Sequence, residues 1–182
     1  MPNTILDPTG RASTAAAVGE TKLAARPAEL AGARIGLLEN TKQNAGLLLT
    51  EIAELLRTEH GAAGVEIHRT KRLFAQPAPA ELVAEYTGNC DVVVTGVGDC
   101  GSCSASAVAD GLLFERAGLP AAVICSDAFV ATADAMAELR GHPGYRYVTT
   151  AHPVAILTPE QVRQRARDVL PAVLALLTGA GS

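Results

Sequence analysis

Five short apolar runs, each followed by a segment of helical periodicity, constrain this chain more than any other feature. "ARIGLLEN" (33–40), "GVEIHRT" (64–70), "DVVVTGV" (91–97), "AAVICS" (121–126) and "YRYVTT" (145–150) have the length and composition of strands. Between them, Leu48, Ile52, Leu55 and Leu56 recur at helical spacing up to about His60. "APAELVAEYTG" (78–88) carries a proline near its start and ends on glycine, as a helix does. From Ser102 to Ala117, the residues Ala105, Val108, Ala109, Leu112, Leu113 and Ala117 line one helix face, and Gly118 supplies a stop. "DAFVATADAMAELRG" (127–141) opens on Asp and closes on Gly. In "TPEQVRQRARDVLPAVLALLTG" (158–179), Thr158 reads as the N-cap, Pro159 as the first helical residue, and Pro171 as a kink or split.

Strict β-α alternation leaves little choice of architecture. Each return to the sheet needs a helical crossover, so neighbouring strands run mostly parallel and helices cover both faces. The near-continuous apolar run at 91–97 fits a strand buried on both sides. The expected fold is a three-layer α/β open sheet of about five strands, with order 2-1-3-4-5 (flavodoxin-like) or 3-2-1-4-5 (Rossmann-like). Residues 1–32 are rich in Ala, Thr, Pro and Gly without a sustained period. They read as an irregular N-terminal arm, with a short helix near Ala28–Leu30, ahead of a single α/β domain over 33–182. Such an arm either stays disordered or packs on a second copy, as a homodimer, or on a partner subunit.

The chain is 48% hydrophobic and 19% charged, values of an ordinary soluble domain with a full core. A net charge of -4, 3% aromatics and no Trp argue against nucleic acid, which is met with basic surfaces and stacking rings. No apolar stretch approaches the roughly 18 residues of a membrane helix. The start of the chain has no basic-then-apolar leader pattern. The cytoplasm is therefore the expected compartment. Thiols stay reduced there, which favours catalysis or metal binding over stapling for a C-x-x-C.

Open parallel sheets bind ligands at the carboxyl ends of their strands. This chain places Glu39, Asn40, Thr41, Lys42 and Asn44 after the first run, and Lys71 and Arg72 after the second. "GDCGSC" (98–103) follows the third, Ser126 and Asp127 the fourth, and His152-Pro153 the fifth. Cys100 falls at a strand-to-helix turn, where unpaired N–H groups and the helix dipole stabilise a thiolate. Cys103 lies about one turn further on, within reach of the first sulfur. Gly96, Gly98 and Gly101 allow tight turning and close approach of a ligand. Asp99 would cap the following helix or orient a base, capping being the simpler reading. Cys125 is expected near the same edge, as a packed thiol or a second reactive one, whereas Cys90 sits at the opposite edge and reads as structural. Lys42, Lys71 and Arg72 are either anion-binding or solvated, and His60, His68 and His142 read as surface or turn residues. One C-x-x-C is half a zinc site with no second half in the sequence, so no metal is expected. "GVGDCG" mimics a dinucleotide loop, but it lies in the third unit and lacks the acidic residue at the end of the next strand.

"GVGDCGSC" after "DVVV" resembles the UGSC family, whose motif can carry selenocysteine in place of the first cysteine. "ILDPTGRA" (5–12), "IGLLENTKQNAGLLL" (35–49) and His152-Pro153 resemble further blocks of that family. This chain has Cys100 at the selenocysteine position, and Gln43 where the family resemblance leads one to expect proline. Selenocysteine at that position implies redox or strongly nucleophilic work there. The resulting expectation is a cysteine-dependent enzyme acting on a small polar or anionic metabolite. Cys100 would attack, Cys103 resolve and His152 move protons. Asn40, Lys42, Asn44, Asp99, Gly101, Ser102, Cys125 and Ser126 would bind the substrate. No cofactor is expected beyond an external thiol reductant. Two alternatives stay open. One is a cofactor-independent isomerase or racemase using Cys100 and Cys125. The other is a binding module without chemistry.

Overall fold

A computed structural model describes residues 22–179. The elements are β1 (Arg34–Glu39), α1 (Ala45–His60), β2 (Gly64–Thr70), α2 (Ala80–Asn89), β3 (Val92–Gly98), α3 (Gly101–Arg116), β4 (Ala121–Ser126), a 3-10 turn (Asp127–Phe129), α4 (Val130–Leu139), β5 (Val148–Thr150) and α5 (Pro159–Thr178). All strand pairings are parallel, and the order is β2-β1-β3-β4-β5, the first of the two expected orders.

Alternation along the strands sends side chains to two cores. Ile35, Leu37, Val92, Val94 and Ile124 meet Leu48, Ile52, Val162 and Val173 of α1 and α5 on one face. On the other face, Leu38, Val93 and Ala121 meet Tyr86 and Phe114. Val123 and Cys125 meet Val108, Leu112, Ala133 and Tyr145 there. β3 sits at the centre, and all seven of its residues are buried, as its unbroken apolar run requires. α3 packs against the sheet at Gly111, where there is no space for a side chain. A Cβ at that position would run into Val123 and come within 2.6 Å of the Tyr145 hydroxyl. Glycine inside a helix costs about 1 kcal/mol relative to alanine, so this close contact offsets a propensity loss.

Three local expectations change. The segment before β1 contains no helix near Ala28–Leu30, only a bend and a turn. Its described part, 22–32, is held against the domain. Arg26 grips the buried Glu115 carboxylate with both guanidinium ends, each at 2.6 Å, and Leu30 enters the core. The remainder of the arm, including "ILDPTGRA", lies outside the described residues. Second, β5 spans only Val148–Thr150, because Tyr145 turns into the core before the sheet is reached. Third, Pro171 does not split α5, which runs unbroken over 159–178. Pro171 is exposed, so its lost N–H bond and ring fall on the solvent side. Thr158 caps α5 with a full capping box.

Candidate functional site

β3 leads straight into α3 through Asp99 and Cys100. The exit is crowded. A Cβ on Gly98 would lie 2.7 Å from the Cys125 sulfur and 2.7 Å from Ser104 Cα and Oγ. Glycine is therefore required there for the chain to reach the helix. Cys100 is itself the N-cap of α3, and its sulfur accepts the Cys103 N–H at 3.3 Å. Ser104 closes the first turn by donating both its N–H and its hydroxyl to the Cys100 carbonyl, each at 2.9 Å. Cys100 and Cys103 are joined as a disulfide, with Cα atoms 5.2 Å apart. Cys103 is buried and Cys100 half-buried. Ser102 is exposed, with its hydroxyl 3.7 Å from the Cys100 sulfur. Beside the pair stands half-buried Gly101. A Cβ there would meet only Thr132 Oγ1, at 4.0 Å. The outer sulfur thus sits on a helix N-terminus, with an N–H aimed at it.

Asp99 does not cap α3. Its buried carboxylate turns to the loop after β5 and accepts the Val154 N–H at 3.1 Å and the Ala155 N–H at 3.1 Å. One of its oxygens lies 2.9 Å from His152 Nδ1. Ser126 Oγ lies 3.2 Å from the same nitrogen and donates to the Gly98 carbonyl at 3.1 Å. Asp127 accepts the His152 backbone N–H at 3.1 Å, and Phe129 meets the imidazole edge-on at 5.3 Å between centroids. His152 keeps 37% of its side chain exposed. Residues at the ends of β3 and β4 thereby meet Nδ1 of a histidine that follows β5, and Phe129 packs on its ring.

β1 supplies two clamps. Asn40 is buried and holds Val97 at both ends, donating to its carbonyl at 2.8 Å and accepting its N–H at 3.1 Å. The Asn44 amide donates to the carbonyls of Val154, Ala155 and Leu157, at 3.0, 3.3 and 2.9 Å. The His152 loop is therefore pinned through its N–H groups by Asp99 and through its carbonyls by Asn44. The 41–44 turn takes left-handed φ values at Thr41 (65°) and Asn44 (67°). For β-branched Thr41 that geometry costs on the order of 1–3 kcal/mol, a strain that sits beside the site. The Lys42 ammonium, half-buried, has no partner among the described residues.

Of the expected substrate contacts, Lys42, Gly101 and Ser102 remain free to meet a ligand. Asn40, Asn44, Asp99 and Ser126 stand at the right edge, but their polar atoms are spent on the protein. The Cys125 sulfur lies behind the β3 exit, next to Gly98 and Ser104, and is closed off from solvent. The residue is fully buried among the side chains of α3 and α4, and burial pushes its thiol up to about 12. Cys90 is also buried, and burial pushes its thiol up to about 11, in keeping with a structural role. Lys71 is not a solvated surface residue. It is buried, with its ammonium 2.6 Å from Asp110 and 2.6 Å from Ser106 Oγ. Burial raises the Asp110 carboxyl, and the Lys71 charge counters this. The same carboxylate accepts the Ala78 N–H, so the pair fastens the β2-α2 loop to α3. A cavity of about 760 Å³ lies against that loop, lined by Arg69, Lys71, Arg72, Leu73, Pro77 and Leu82, and neither Cys100 nor His152 lines it. The Ser104 hydroxyl and the Phe129 ring were not legible as site components, since nothing in their spacing distinguishes them from packing residues.

Among the described residues, no helix is long and apolar enough to cross a membrane. No curated protein is similar enough to count as a match. Among solved structures, a flavodoxin-like domain from Synechococcus sp. aligns with a TM-score of 0.42 at 15% identity, covering 80% of this chain and 94% of that one. A family model described as the UGSC family matches residues 4–179.

Proposed function

The chain belongs to the UGSC family, and from that premise and the geometry of Cys100 we propose a thiol-dependent enzyme that reduces a heteroatom bond in a small polar or anionic metabolite. The observation that carries the reading is the Cys100–Cys103 pair at the α3 N-terminus, outer sulfur accessible and inner sulfur buried within bonding reach. In the reduced protein, the Cys100 thiolate attacks atom X of a substrate R–X–Y. The S–X bond forms, X–Y breaks, and Y leaves with the electron pair and the proton that His152 took from the Cys100 thiol. The Cys103 thiolate then attacks the Cys100 sulfur. The S–S bond forms, and R–X leaves with its electron pair and a proton. The substrate gains two electrons and two protons, and an external thiol reductant restores the dithiol. Lys42 holds an anionic group of the substrate, and Gly101 and the Ser102 hydroxyl complete the contact.

An isomerase built on Cys100 and Cys125 needs a second thiolate. Burial of Cys125, with its thiol pushed up to about 12, weighs against that alternative. The test exposes the reduced protein to a panel of small anionic disulfides and related heteroatom electrophiles. The reading expects loss of two thiols per turnover, mapped to Cys100 and Cys103, and no reaction in Cys100→Ser. Reaction that persists in Cys100→Ser rejects it.

A further inference from the structure

We infer that Asp99 and Ser126 fix the proton of neutral His152 on Nδ1, leaving Nε2 as the atom through which this ring exchanges protons. The inference rests on the proposed thiol chemistry for its use, but not for the tautomer itself.

A serine hydroxyl has a single hydrogen. That of Ser126 is directed to the Gly98 carbonyl, so a lone pair of Oγ faces His152 Nδ1 at 3.2 Å. The Asp99 carboxylate accepts the N–H groups of Val154 and Ala155, and its Oδ1 faces the same Nδ1 at 2.9 Å. Two acceptors thus converge on one ring nitrogen. A lone pair on Nδ1 would oppose both, whereas a hydrogen there satisfies both. Asp127 holds the His152 backbone N–H, and Phe129 packs edge-on against the ring itself. Nε2 has no partner among the described residues, and the side chain is 37% exposed, so a substrate or leaving group can reach that nitrogen. Asp99 and Ser126 are therefore positioning residues. They act through His152, in the way that a base is commonly oriented by a third group. Ser126 moves from the expected substrate contact to this supporting role.

The experiment is ¹⁵N NMR of the imidazole nitrogens in the uniformly labelled, reduced chain, without substrate, at a pH where the ring is neutral. The chain has four histidines, and His152→Gln identifies the signals by their disappearance. The expected spectrum has Nδ1 at the N–H-type shift and Nε2 at the lone-pair shift. A predominant Nε2–H form in the unaltered protein overturns the inference, whatever the thiols do. In Asp99→Asn, the amide oxygen stays with the Val154 and Ala155 N–H groups and its NH₂ faces Nδ1. That variant is expected to invert the tautomer, and an unchanged spectrum overturns the role of Asp99. If it does not fold, the unaltered protein still decides the tautomer. Ser126→Ala, which removes only one acceptor, should keep Nδ1–H in smaller excess, and no change there removes Ser126 from the argument.

Discussion

The β3-α3 unit carries three buried carboxylates, and two of them, Asp110 and Asp99, have opposite fates. Asp110, within α3, meets the buried Lys71 ammonium, the Ala78 N–H and the face of the β2-α2 loop. Every direction around it is closed. Asp99, just before α3, is buried to a similar degree but meets backbone N–H groups and a histidine ring that still reaches solvent. Burial and charge are alike at the two positions. What differs is whether the partner of the carboxylate has a free side. An acid locked on a buried cation can only hold the fold together, while one that orients an accessible ring can pass its influence to a bound molecule.

That contrast can be broken by substitution. Lys71→Ala strips one member of a buried ion pair and should cost about 3–5 kcal/mol of stability, read by urea unfolding. Thiol chemistry per folded molecule should survive it. A stability change within about 0.5 kcal/mol, as for an ordinary surface substitution, would place Lys71 back among solvated residues. A second effect, of intermediate size, concerns the packed thiols. The folded-state value of Cys125 lies above that of a free thiol, so below pH 9.0 the folded and unfolded thiols are both protonated and the contribution is intact. Between pH 9.0 and about 12 the unfolded thiol ionises first, and stability falls as pH rises. Cys125→Ala should flatten that fall in denaturant midpoints. An identical slope in the variant means that burial of this thiol is not its cause. At neutral pH, Cys90 and Cys125 should resist alkylation until the chain unfolds. The smallest effect is expected at the half-exposed Arg34–Asp91 pair, where Arg34→Ala should change stability by about 0–1 kcal/mol. A loss of several kcal/mol there would show that exposure does not separate the two kinds of ion pair.

Much of the fold was legible because β-α alternation leaves few choices. β2 and β4 occupy the same residues that their composition marks, and the α5 cap is where Thr158 and Pro159 put it. Less legible were features decided by tertiary packing. Tyr145 leaves the fifth run for the core, and α4 starts after a 3-10 turn at Asp127–Phe129 rather than on Asp127. At the site, sequence position identified the correct edge but not the direction of each side chain. Asn40, Asn44 and Asp99 follow strands and Ser126 ends one, and all four turn inward, because backbone N–H and carbonyl groups at the loop ends require partners once buried. Lys71 also follows a strand, and its pairing with Asp110 depends on how α3 crosses the β2-α2 loop, which no local pattern encodes.

The division of labour between the two motif cysteines is the central claim, and Cys103→Ser tests it most directly. The variant and the unaltered chain are reduced, desalted and given one small symmetrical disulfide, RSSR, and intact masses are followed with peptide mapping. In the unaltered chain, two RSH molecules should leave and the protein should end as the Cys100–Cys103 disulfide, with no R attached. In Cys103→Ser, one RSH should leave and one R–S group should stay on Cys100. Clearance of that adduct by the variant, or an adduct mapped to Cys90 or Cys125 in place of Cys100, would contradict the account.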